Sequence, residues 1–147
     1  MTLKKKQQVA VGGLIFNQSH KLLFVKRAHD DEFMPGIWEI PGGGTEIEES
    51  PTDGLAREIF EECGLSVKPL HEPLAWGEYI IERNGERIHR VEITFMCRLL
   101  DKYQDIILSD EHEEYQWISI DELDSIEMTD YMRKLVKDSL AKINYQN

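Results

Sequence analysis

Between Gly42 and Leu65 the chain carries seven acids, Glu46, Glu48, Glu49, Asp53, Glu58, Glu61 and Glu62, against a single arginine, Arg57. Glu58, Glu61 and Glu62 stand at i, i+3 and i+4, a spacing that puts three carboxylates on one helical face. Like charges held this close repel, by roughly a few tenths of a kcal/mol per exposed pair and more when buried. A counter-cation offsets that cost, and Arg57 alone does not neutralise three acids. Clustered carboxylates with carbonyl oxygens and water form the hard-oxygen site that Mg²⁺ or Mn²⁺ prefers. The plain alternative is a solvated acidic helix face. Pro41-Gly42-Gly43-Gly44, just upstream, favours the ligand site, because glycines let backbone approach a ligand closely.

These residues need a helix, and the sequence supplies one. Ser50 is the predicted N-cap, Pro51 falls at the first helical position, and Asp53 completes a capping-box-like pattern. Leu55, Ile59 and Cys63 recur at i, i+4, i+8 as the buried stripe, and Gly64 falls where a left-handed cap belongs. The predicted helix is Pro51–Cys63. Strands are expected at 9–16 and within 21–26, paired as a hairpin, and at 38–40. Two longer strands, 74–83 and 87–99, flank the turn signal Asn84-Gly85. Ile106-Ile107-Leu108 is a candidate short strand and 115–120 a further one. A last helix opens at Thr129, with Met132, Leu135, Val136, Leu140 and Ile143 as its apolar positions.

The whole chain sets outer bounds. At 147 residues it is one domain on the usual prior of roughly 100–200 residues per domain. We read 1–147 as a single domain, with 1–7, including Lys4-Lys5-Lys6, as a flexible, solvated N-terminus. Lys plus Arg is 17 and Asp plus Glu is 28, a net charge of −11, which argues against a long nucleic acid held on a basic face. A small anionic ligand remains open if cations lie between it and the acids. Two cysteines, Cys63 and Cys97, are too few for a disulfide scaffold and fit a reducing cytoplasm. No stretch reaches the ~18–20 apolar residues of a membrane span, so the expectation is a soluble, cytoplasmic protein.

The acidic helix and its glycine turn also resemble a known pattern, G-x5-E-x7-R-E-U-x-E-E-x-G-U, where U is bulky and apolar. Gly43, Glu49, Arg57, Glu58, Ile59, Glu61, Glu62, Gly64 and Leu65 occupy every specified position. The chain thus resembles the Nudix hydrolases, which cleave a nucleoside diphosphate linked to another group. The resemblance implies an α/β/α sandwich around a curved mixed β-sheet. It implies metal ligation by Glu58, Glu61 and Glu62, with Gly42 lending its carbonyl, and structural roles for Gly43, Glu49, Arg57 and Gly64. A further acid from a later loop is expected to join the metal or act as base. Glu111 is the candidate, with Glu113 and Glu114 as competitors. Either Glu61 or Glu62 is expected to help take the water's proton.

Other residues have two readings. The resemblance implies that Arg27 touches substrate phosphate; the other reading is a solvated strand end. Trp38 either stacks on a base or packs in the core, the core being preferred. Trp76, Tyr79 and Phe95 read as core. His29, His89 and His112 lack paired ligand spacing, so no zinc site is expected. Cys63 reads as a small buried residue, not a nucleophile. The expected function is Mg²⁺-dependent (Mn²⁺ as substitute) cleavage of a (deoxy)nucleoside triphosphate to monophosphate and pyrophosphate, by a monomer or homodimer acting on a small nucleotide, away from membranes. The alternatives are an ADP-ribose or nucleotide-sugar pyrophosphatase and a non-catalytic nucleotide sensor. The basic strip Arg83, Arg87 and Arg90 leaves capped RNA as a weaker option.

Overall fold

Alternating apolar residues along the strands divide the interior into two cores, one under each helix. The computed structural model describes residues 2–31 and 34–146, with side chains up to residue 143. In chain order the elements are β1 (Lys4–Ile15), β2 (Leu22–Arg27), β3 (Trp38–Glu39), β4 (Gly42–Gly44), α1 (Pro51–Cys63), β5 (Val67–Arg83), β6 (Glu86–Leu99), β7 (His112–Ile118), a 3₁₀ helix (Ile120–Ser125) and α2 (Asp130–Gln146). A mixed sheet runs β4-β1-β6-β5, with β1 parallel to β6 and the other pairs antiparallel. A second, antiparallel sheet runs β3-β2-β7. Neither sheet closes on itself. No helix among the described residues is long and apolar enough to cross a membrane.

Leu55, Ile59 and Cys63 of α1 pack on Val11, Ile15, Phe95 and Cys97 from one face of the mixed sheet. Met132, Val136 and Leu140 of α2 pack with Leu14 and Trp38 in the other core. β2 serves both: Leu23 and Val25 enter the first core, Leu22 and Phe24 the second, as period-two alternation requires. Each such side chain contributes about 1.5–3 kcal/mol when fully buried. The architecture is the expected α/β/α arrangement on a mixed sheet.

α1 has its predicted bounds. Ser50 Oγ accepts from the Asp53 N–H at 3.1 Å, and Gly64, at φ 70°, donates its N–H to the Phe60 carbonyl at 2.9 Å. Other elements differ from expectation. β1 begins at Lys4, so residues 4–7 of the stretch expected to be a flexible terminus are paired with Glu86–His89. The hairpin that closes at Asn84-Gly85 leaves that edge of β6 open, and Lys6 adds an ion pair to Glu86 at 3.5 Å. Met1 lies outside the described residues. β1 and β2 share only a bridge at Phe16 and Leu22 before diverging into separate sheets. β5 starts at Val67 rather than Leu74, with its ladder interrupted around Pro69 and Pro73, residues without an N–H to give. Ile106-Ile107-Leu108 is no strand: the Ile107 N–H goes to the Cys63 carbonyl at 2.8 Å, capping α1. Trp76, expected in the core, is 65% exposed.

β4 was not expected as a strand, and glycine makes it possible. A Cβ at Gly42 would overlap the Val11 carbonyl oxygen across the pair. Because that neighbour is backbone and cannot step aside, Gly42→Ala should destabilise the protein by about 1–3 kcal/mol, read as a lower urea midpoint.

Candidate active site

The helix and the glycine strand meet at the acids. Glu62, though an acid, is only 5% exposed, and the Gly42 N–H donates to its Oε2 at 3.2 Å. One turn earlier, Glu58 lies where a Cβ on Gly43 would stand. Arg57 ties the parts together. It makes a two-pronged pair with Glu49, Nε–Oε2 2.8 Å and Nη2–Oε1 2.9 Å, and donates Nη2 to the Gly44 carbonyl at 3.2 Å. Its Nη1 reaches Glu58 at 3.1 Å and Glu61 at 3.2 Å. Thus one guanidinium bonds the loop before α1, β4 and the helix itself. Glu61 is exposed on Arg57, beside the cleft rather than among its lining residues.

The second sheet brings the opposing groups. Glu62, Glu111 and His112 offer ligand atoms within 4.8 Å of one another. Glu113 and Glu114 turn elsewhere, Glu113 to His29 at 3.0 Å and both toward Lys26. Of the three acids in that segment, Glu111 therefore meets the helix acids. His112 and Glu39 were missed by the sequence reading. His112 is paired with Arg27 in the β2–β7 ladder, and its side chain is 1% exposed. Its Nε2 lies 2.9 Å from Glu39 Oε2, while Nδ1 is buried without a partner among the described residues. Period two counted back from Ile118 reaches His112, a signal outside a strand that begins at Tyr115. Arg27 is neither free nor a solvated strand end: Nη1 bonds Glu39 at 3.1 Å and Nη2 bonds Asp31 at 2.8 Å. Trp38 is buried in the second core, and the Lys26 ammonium lies 6.0 Å from its ring centre. Arg27 and Trp38 both line a cleft of about 530 Å³ that also holds Glu58, Glu62 and Glu111, a volume suited to a small ligand.

Burial pushes the Glu62 carboxyl well above the ordinary range, and Glu39, Glu58 and Glu111 add to the rise, against a smaller opposing pull from the Gly42 N–H. Burial also raises Glu58. Buried Glu62, half-buried Glu58 and exposed Glu111 thus share one corner, with Arg57 on Glu58 and a ring nitrogen of His112 close to Glu62 and Glu111. That donor set fits a divalent cation, which would relieve both the desolvation and the repulsion. Cys63 is fully buried and its thiol is pushed up to about 12 by burial, so it is no nucleophile at neutral pH.

The model of the NUDIX domain matches residues 6–139. This chain belongs to the Nudix hydrolase family. Family members generally use a divalent metal, in keeping with the acidic cluster here. A nucleoside triphosphatase NudI from Klebsiella pneumoniae is 29% identical over 129 residues, covering 84% of this chain and 89% of the relative. An RNA pyrophosphohydrolase from Halorhodospira halophila is 32% identical over 121 residues, covering 74% of this chain and 64% of the relative. The chain spans 36% and 64% of the length of two of the curated relatives it matches. The solved MutT protein from Methanosarcina mazei superposes with a TM-score of 0.75 at 26% identity, covering 99% of each chain.

The Arg57 hub has a pH signature. Hydrogen bonding from Arg57 holds the Glu49 carboxyl down to about 2, against an ordinary 4.5. A depressed carboxyl stabilises the fold at all pH above its ordinary value and loses that contribution as pH falls through its folded value. Glu49→Gln should therefore melt earlier than the wild type at pH 6, and the difference should fade between pH 4.5 and 2, as followed by circular dichroism.

Proposed function

We propose that this chain uses Mg²⁺, or Mn²⁺ in its place, to hydrolyse a phosphoanhydride bond in a nucleoside diphosphate derivative. Its preferred substrates are nucleoside or deoxynucleoside triphosphates, cleaved to monophosphate and pyrophosphate. One observation carries the reading: Glu58 and Glu62 from α1 and Glu111 from the turn before β7 converge in one cleft. The net charge of −11 favours a small substrate over a long RNA. Among relatives, a nucleoside triphosphatase matches across most of both chains.

In this reading Glu58 and Glu62 would hold the cation, with the Gly42 carbonyl, Glu111 and, from beside the cleft, Glu61 as the further groups that would join them. The ion supplies neutralisation of the phosphate oxygens and Lewis acidity toward water. Water oxygen forms the new bond to phosphorus while the bridging P–O bond breaks and its electron pair leaves with the half not attacked, nucleoside monophosphate or pyrophosphate. The water's proton goes to a carboxylate. Glu62, whose burial makes it a stronger base than an exposed acid, and Glu111, on a separate element, are the groups placed for it. Arg57 keeps the helix acids aligned by anchoring α1 to β4 and the preceding loop.

Glu62→Gln keeps the shape of the side chain and removes its charge. Turnover of a nucleotide panel, read as phosphate or pyrophosphate released at saturating Mg²⁺, should fall about 10²–10⁴-fold with the melting temperature retained. Near-normal turnover in both Glu61→Gln and Glu62→Gln would refute the assignment. A sensor would bind nucleotide yet release no product with Mg²⁺ present.

A further inference from the structure

Away from the metal-side acids, the same cleft contains a second carboxylate with a surrounding built for it. β1, β6 and β5 place Ala10, Glu92 and Gly77 in one row across the sheet, and Gly44 of β4 extends the row. Glu92 is the only side chain in that row longer than a methyl group. It lies in a hollow between small neighbours and is 9% exposed. Among the described residues its carboxylate has one hydrogen bond, from the Tyr131 hydroxyl to Oε1 at 2.8 Å. Arg90, two residues away, is committed elsewhere: Nε donates to Gln8 Oε1 at 2.8 Å and Nη1 to the Tyr79 hydroxyl at 3.4 Å.

The walls are aromatic. Tyr131 enters from the first turn of α2, and its ring fits because Gly77 has no side chain: a Cβ there would lie 2.8 Å from the ring. It stands edge-on to Tyr79, with ring centres 5.2 Å apart. Glu92, Tyr79 and Tyr131 line the cleft that Glu58, Glu62 and Glu111 also line. Burial and the nearby Glu39 push the Glu92 carboxyl up to about 6, against the pull of Tyr131 and Arg90. It is still mainly ionised at neutral pH, a buried anion short of donors.

We propose that Glu92, oriented by Tyr131, is the base-recognition group of the cleft and selects guanine. This deepens the nucleotide reading above and rests on it. A carboxylate is an acceptor on both oxygens. Guanine presents N1–H and the 2-amino group side by side, matching those two acceptors. Adenine and cytosine present one amino group beside a bare ring nitrogen, which an anion repels. Uracil and thymine present one N–H between two carbonyls. A ribose diol also offers two donors, but the tyrosine rings and the short side chain of Ala10 that line the cleft beside Glu92 favour a planar base.

The test titrates the chain, with Mg²⁺, against the α,β-methylene triphosphates of guanosine, deoxyguanosine, inosine and adenosine, which bind without being cleaved at that bond. The guanine pair should bind at least about tenfold tighter than the inosine and adenosine analogues, with little difference between ribose and deoxyribose. In Glu92→Gln that preference should shrink to about threefold or less, because the amide turns a donor toward guanine's donors. Tyr131→Phe keeps the ring against Gly77, and should weaken the preference through loss of the hydroxyl alone. Melting curves of both variants confirm folding. Equal affinity for all bases, a preference set by the ribose hydroxyl, or an unchanged preference in both variants would overturn the proposal. Turnover of GTP measured alongside separates the two readings. Guanine selectivity without product release sinks the hydrolase reading and supports the base site. Product release without selectivity does the reverse.

Discussion

A carboxylate withdrawn from water and faced by other carboxylates is the constraint on which this site depends. Glu62 is buried, and its electrostatic neighbours Glu39, Glu58 and Glu111 are all acids. Burying an unpaired charge costs several kcal/mol unless a partner or a proton relieves it. A whole domain is stable by only ~5–15 kcal/mol. Such a corner makes physical sense when a cation enters it, and that requirement connects the fold to the chemistry.

The surrounding structure holds the acids together despite their repulsion. Three consecutive glycines let β4 pair with β1 while α1 comes close enough to set Glu58 over Gly43 and Glu62 on the Gly42 N–H. Arg57 then clamps the helix to β4 and to Glu49 with paired, charge-assisted hydrogen bonds. The second sheet closes the far side. Its register puts His112 beside Arg27, and the chain of bonds from Asp31 through Arg27 and Glu39 to His112 stiffens the wall from which Glu111 projects. The helix acids come from one local segment and the opposing groups from distant strands, so the site exists only in the folded chain.

That division explains what could be read from the sequence. α1 was legible to the residue because its signals are local: a serine cap, a proline at the first position, an apolar stripe and a terminal glycine. The helix acids followed from spacing along that element. β4 was not legible, because three glycines carry no side-chain pattern and read as a turn. The start of β1 at Lys4 was hidden for a different reason. Polar edge residues have no hydrophobic alternation, and their pairing with β6 is a long-range event. His112, Glu39 and Glu92 owe their surroundings to cross-strand neighbours far away in sequence. Glu92 in particular is one polar residue in the middle of β6, and only the lateral row of Ala10 and Gly77 gives it a distinct environment.

The central claim is that the acids converge to hold a hard cation. Titrating the protein with Mn²⁺, and following its water-relaxation enhancement, measures that directly. The account predicts saturable binding that Mg²⁺ displaces and that Glu62→Gln severely weakens. Absence of saturable Mn²⁺ uptake by the wild-type protein, even with a non-cleavable nucleotide present, would contradict it.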